Sequence, residues 1–133
     1  MIKEAYCSFE VAKLLKKKEF DVPCDSYYDY FSSNVTMYQG YVAEFSGSCT
    51  NHNGSKNYDI FSRPTHQMAM AWLREEKRTA IIIEFDVTKR GFCPYVHQLD
   101  YDMEWVVKWR INMPMKYEEA VETALKYTLE NLI

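Results

Sequence analysis

The sequence predicts an α+β fold: a twisted antiparallel sheet of about five strands with three helices, in the order α-β-β-α-β-β-β-α. Three features carry this prediction. The stretch from Arg63 to Asp86 reads as a capped helix followed directly by an alternating strand. The remaining strand-like segments follow one another across short turns, which implies antiparallel pairing. The helical segments interrupt the strands rather than alternate with them, which favours α+β over α/β. A length of 133 residues fits a single domain, 1–133.

The elements follow in chain order. Ser8 is placed to cap a first helix, with Phe9, Ala12, Leu14 and Leu15 on its inner face. Glu10 near its start and Lys16-Lys17-Lys18 at its end suit the helix dipole. Phe20 and Pro23 are expected to end it. Tyr27–Phe31 and Thr36–Phe45 are rich in Tyr, Val and Phe and read as strands around a Ser32-Ser33-Asn34 turn. Gly40 marks an expected bulge in the second of them. Ser46–Asn57 has the composition of a polar surface loop, with a tight turn expected at Asn51-His52-Asn53-Gly54.

The second helix starts after Pro64, which disfavours helical geometry at Arg63, with Thr65 as N-cap. Met68, Ala69, Ala71, Trp72 and Leu73 cover its expected inner face; His66, Met70, Arg74 and Lys77 fall opposite. In the strand that follows, Ile81, Ile83, Phe85 and Val87 alternate with Ile82, Glu84 and Asp86. Thr88–Gly91 turns the chain into a strand at Phe92–Leu99, where Pro94 argues for a sheet edge. Tyr101 and Asp102 turn it again. The next strand sets Trp105, Val107, Trp109 and Ile111 against Val106, Lys108, Arg110 and Asn112, and Pro114 ends it. The last helix carries the stripe Tyr117, Val121, Ala124, Leu125, Thr128, Leu129 and Leu132.

Composition narrows the function classes. The chain has 16 basic and 19 acidic residues, a formal charge of −3, and no basic patch of the kind that phosphate neutralisation needs. Nucleic acid is therefore not the expected partner. A charge of −3 is also too small for a nucleic-acid mimic. No run of apolar residues is long enough to span a membrane. The first residues lack the apolar core of a signal peptide, so an intracellular setting is expected. Cys7, Cys24, Cys49 and Cys93 stand far apart without a C-x-x-C pair, and read as free, mostly buried thiols.

Four segments taken together carry a family resemblance: Cys7–Leu15, Phe20–Cys24, Pro64–Glu75 and Tyr117–Val121. The pattern resembles a family of small uncharacterised proteins encoded by bacteriophages and prophages of gut bacteria. It covers most of the chain in order and is weakest from Tyr27 to Asn57. The resemblance implies a phage or prophage origin and the cytoplasm of a bacterial host. It brings no activity, substrate or catalytic residue.

The chemistry-bearing residues do not form a motif. His52, His66 and His97 lack the spacing of paired metal ligands, so no metal or cofactor is expected. Cys93, His97 and Asp100 are near in sequence, but Cys93 and His97 stand four residues apart on one strand face, beyond direct bonding. No nucleophile elbow or phosphate-cradling Gly-rich loop is present. An enzyme is therefore the less expected class. His66 at a helix start, with Arg63 close by, suggests a small anion site; a surface residue tolerating its position is the plainer reading. Trp72, Trp105 and Trp109 are expected in the core. Alternation sets Tyr28 and Tyr30 on one strand face and Tyr27 on the other. Either one set is an exposed interface anchor, or helices cover both sides. The expected function is a small protein-interaction module that binds a protein partner or itself. Its candidate binding residues are Tyr28, Tyr30, Arg63 and His66. The alternative is a small-ligand binder or enzyme with a site near His66 and His97.

Overall fold

The structure, a computed structural model, describes residues 4–31, 33–39, 49–55 and 59–133. These form three helices and two three-stranded antiparallel sheets, in place of one five-stranded sheet. The chain divides into two compact units, Met1–Met68 and Ala69–Ile133, with the boundary inside a helix.

The first unit begins with α1 (Phe9–Lys17). Ser8 caps it, its hydroxyl accepting the Val11 N–H at 3.2 Å. Its end is set earlier than Pro23. The Phe20 N–H donates to Leu15 O and the Glu19 N–H to Lys16 O, while Glu19 turns to φ 66°. This is the left-handed C-terminal cap that glycine usually supplies. It works here because Phe20 and Leu15, both fully buried, pack at the end of the turn.

Sheet one has the order β2-β1-β3, with β1 at Ser26–Phe31, β2 at Asn34–Gln39 and β3 at Ile60–Ser62. β1 and β2 form a hairpin from Phe31↔Asn34 to Ser26↔Gln39. The expected strand past Gln39, the Gly40 bulge and much of the Ser46–Asn57 loop lie outside the described residues. α1 lies over the face carrying Tyr28, Tyr30 and Phe61: the Phe9 ring is 5.6, 5.8 and 5.3 Å from theirs. The opposite face carries Tyr27, which stacks on Tyr38 at 5.2 Å and meets His52 at 4.8 Å. His52 opens a short 3-10 helix, His52–Gly54. Both faces are thus covered near β1, by different elements.

α2 (His66–Lys77) crosses the boundary between the units. The Thr65 hydroxyl accepts the Met68 N–H at 3.2 Å, as a capping residue should. The expected solvent side is wrong over the first turns. His66 and Met70 are buried along with Ala69, Trp72 and Leu73, and the exposed residues are Gln67 and Arg74–Lys77.

Sheet two has the order β4-β5-β6, with β4 at Thr79–Asp86, β5 at Gly91–Leu99 and β6 at Trp105–Arg110. α3 (Tyr117–Asn131) packs on one face, burying Ala120, Val121, Ala124, Leu125, Thr128 and Leu129. β5 is the central strand, not the edge that Pro94 suggested. The Pro94 carbonyl accepts from Ile111 N–H, just past the end of β6. Its missing donor therefore faces the end of the ladder, where little pairing is lost. The expected alternation of β6 also breaks. Val96 pairs with Trp109 but His97 with Val107, so Lys108 is an extra residue in a β-bulge. The bulge sends Trp109 towards α3, where it stacks on Tyr127 at 4.6 Å. It leaves Trp105, expected in the core, 50% exposed.

Two substitutions test this reading. A Cβ at Gly91 would stand 2.4 Å from Pro114 Cβ. Gly91→Ala should lower stability in urea denaturation by about 1 to 3 kcal/mol, the usual range for overpacking. Glu19→Gly should raise it by about 1 kcal/mol, because glycine adopts positive φ without the steric cost.

Candidate functional site

Tyr28 is 8% exposed and donates its hydroxyl to Cys7 O at 2.6 Å. It braces α1 and the segment before it, and it is not a surface anchor. Tyr30 lies on the same face, at the margin of α1, and keeps part of its ring in solvent. Arg63 is half-buried. Its guanidinium lies 4.0 Å from the Tyr6 ring centre and 5.6 Å from that of Tyr28. It donates to Ser26 Oγ at 3.0 Å and to Tyr28 Oη at 3.3 Å. Tyr6 in turn donates to the Asp25 carboxylate. Burial and the Asp25 charge push the Tyr6 phenol above its ordinary range, which keeps it a donor. Arg63 therefore acts as a staple between two rings.

His66 is buried rather than solvent-facing. The segment before α1 runs beside it, a neighbour that a helical projection of α2 alone does not contain. The His66 N–H donates to Ala5 O and the Cys7 N–H to Pro64 O, so this segment lies along the start of α2. His52, read from sequence as a loop residue, is fully buried. Its Nε2 lies 2.9 Å from Cys24 O and therefore carries the proton; Nδ1 faces the Thr50 hydroxyl at 3.3 Å. Burial holds the imidazole below its ordinary value, against the Cys24 carbonyl and Asp25, which favour the charged form. Burial also pushes the Cys24 thiol up to about 12. A thiol so held is unreactive at neutral pH. Cys49 is exposed.

In the second unit, His97 lies on the sheet face away from α3 and tilts against Tyr95 at 5.1 Å. Tyr95 stands between His97 and Cys93 and carries the Arg110 guanidinium at 4.6 Å. Cys93 and His97 are about 13 Å apart along the strand by its rise per residue, so they form no nucleophile–base pair. A cavity of about 250 Å³ is lined by Glu84, Asp86, Cys93, Tyr95 and Arg110 among others. Its polar groups include no histidine.

The strand edges are the remaining feature, and they differ. On β3, two of the backbone groups facing away from β1 already have side-chain partners. The Ile60 carbonyl accepts from Lys16 Nζ at 2.6 Å, and the Ser62 N–H donates to Asn53 Oδ1 at 2.8 Å. β6 is kinked by its bulge and carries Lys108 and Arg110. β4 carries Glu84 and Asp86. Charges, bulges and shortness are the usual protections of an edge. β2 has none of them. It reads Asn-Val-Thr-Met-Tyr-Gln, all six residues are exposed, and its register with β1 is unbroken.

The register also fixes which β2 backbone groups point outward. The Tyr30 N–H donates to Asp59 O, and the Ser26 carbonyl accepts from Arg63 N–H. Alternate residues of β1, Ser26, Tyr28 and Tyr30, thus bond on the β3 side. Tyr27, Asp29 and Phe31 bond on the β2 side, to Tyr38, Thr36 and Asn34. Val35, Met37 and Gln39 are left with their N–H and C=O groups directed away. Val35 is 44% and Met37 57% exposed, on the α1 side of the sheet. These residues were not among the sequence candidates. The signal was there: six residues of strand composition with no charge, Pro or Gly.

Comparison with protein-family models, with curated proteins and with solved structures returns no match. No helix among the described residues is long and apolar enough to cross a membrane.

Two measurements follow from the buried groups. The His52 imidazole has a folded-state value below the ordinary 6.5. The unfolded chain therefore binds the proton first, and stability is full above about pH 6.5 and falls as pH falls below it. Urea midpoints between pH 7.5 and 5.5 should drop, and His52→Gln should flatten that drop. In thiol alkylation of the native protein near pH 7.5, Cys49 should react and Cys24 should be spared until denaturant is added.

Proposed function

We propose that this chain is a small protein-interaction module that receives a strand from a protein partner, or from itself, along the outer edge of β2. One observation carries the reading. Among the described residues, β2 is the edge with exposed apolar side chains, unused backbone groups and no charge. Strand addition uses those groups for affinity and the alternate side chains for specificity. Tyr30, Val35 and Met37 form the apolar margin on the α1 side of the sheet, and Tyr38 the margin on the other. With the resemblance to phage and prophage proteins, this reading takes the partner to be a cytoplasmic protein of an infected or lysogenic bacterium. Tyr28, Arg63 and His66 support the module from inside.

The test is affinity capture from such cells with the wild-type chain and with a Val35→Lys/Met37→Lys double variant. Both side chains are exposed, so the variant should keep its circular dichroism and urea midpoint. The expected result is a protein retained by the wild type and lost with the variant. Equal retention by both would remove β2 from the proposal. Repeated recovery of nothing would remove the partner.

A further inference from the structure

We infer that β2 takes as its partner the β2 strand of a second copy of this chain, antiparallel across a two-fold axis through Thr36. This rests on the reading of β2 as an addition edge and names the occupant. Three features of the strand support it.

The first is charge. A strand approaching a like strand meets whatever charge the edge carries twice over. Asn34–Gln39 carries none, so two copies approach without repulsion. The other exposed edge strands, β4 and β6, each carry two charges of like sign, Glu84 with Asp86 and Lys108 with Arg110.

The second is the backbone. A two-fold axis perpendicular to the sheet keeps each face on its own side, so paired residues must come from the same face. It must also match outward groups with outward groups. Val35 and Met37 satisfy both conditions. Pairing Val35 of one copy with Met37 of the other, twice, makes four N–H···O bonds from groups that have no partner among the described residues.

The third is the side chains. In this register Val35 lies against Met37 on the face that carries α1. Asn34 lies against Tyr38 on the opposite face, and Thr36 lies against Thr36 on the axis. An aliphatic pair and a Thr–Thr pair are both favourable directly across an antiparallel ladder. Shifting the axis to Met37 would pair Met37 with itself but set Val35 against the polar Gln39 on both sides of the axis. The product is a continuous six-stranded sheet, β3-β1-β2-β2-β1-β3. Its outer edges are the three-residue β3 edges, where Lys16 and Asn53 already take one backbone group each. The open edge disappears, as it does when a sheet is completed. Because the contact is one strand wide, association is weak and depends on concentration.

The axis gives a specific test. Thr36 meets its own copy at a non-hydrogen-bonded position, where side chains are closest. Thr36→Lys alone and Thr36→Glu alone each set like charges directly opposite and should lower the association constant about tenfold or more. An equimolar mixture of the two variants should restore it. Sedimentation across a concentration series is the readout. The wild type should move from 15.8 kDa towards twice that mass, each variant alone should stay near 15.8 kDa, and the mixture should recover the heavier species. Thr36 is exposed, so the recovery also shows that both variants are folded. A wild type monomeric at every concentration would overturn the inference, and so would a dimer indifferent to the Thr36 charges. Either result leaves strand addition by a different protein to be judged by capture with the Val35→Lys/Met37→Lys variant.

Discussion

Every strand at the edge of a sheet must do something with a row of backbone N–H and C=O groups. Two three-stranded sheets in one small chain make that requirement acute, because each has two edges and only one central strand. The chain meets it in different ways. β3 is kept to three residues, and two of its outward groups, the Ile60 carbonyl and the Ser62 N–H, are taken by Lys16 from α1 and Asn53 from the 3-10 helix. Burial pulls the Lys16 ammonium below its ordinary value, against the Asp59 charge, which favours the charged form. β6 twists away through a bulge. Among the described residues, β2 is the edge strand with no charge, bulge or side-chain cover, and the proposed function rests on that edge.

Apart from β3, a three-residue strand too short to show a period and not among the expected elements, the order of helices and strands was legible in the sequence because the longer elements have a clean period and a local stop. Ser8 and Thr65 cap their helices as their side chains predict. The alternation of Ile81, Ile82 and Ile83 sets one face against α3. Local signals failed where a distant segment decides the outcome. Nothing in the residues around His66 says that Ala5–Cys7 will lie along the helix start. Nothing near His52 says that Cys24 will supply a carbonyl to its ring. In each case a polar residue is buried by a partner 28 or more positions away.

The sheet count failed for a different reason. A run of strands joined by short turns is equally consistent with one sheet or two, since pairing between non-consecutive strands leaves no local mark. Pro94 shows the same ambiguity. Its missing N–H excludes a fully paired position, and the end of a neighbouring ladder satisfies that as well as an edge does. The bulge at Lys108 was invisible because strict alternation from Trp105 to Ile111 looks like a regular strand. The tyrosine question resolved by burial. Tyr27 and Tyr28 are both used inside the unit, so aromatic richness here is largely a packing device. The candidate site lies beside them, in residues with unremarkable side chains and an open backbone.

The account depends on which amides of β2 face outward. Residue-by-residue hydrogen exchange tests that directly. In dilute solution the Val35 and Met37 amides should exchange rapidly while those of Thr36 and Tyr38, bonded to β1, exchange slowly. At concentrations where the mass increases, Val35 and Met37 should become protected and Thr36 and Tyr38 should change little. Slow exchange at Val35 and Met37 in the dilute monomer, or fast exchange at Thr36 and Tyr38, would contradict the register and the open edge built on it.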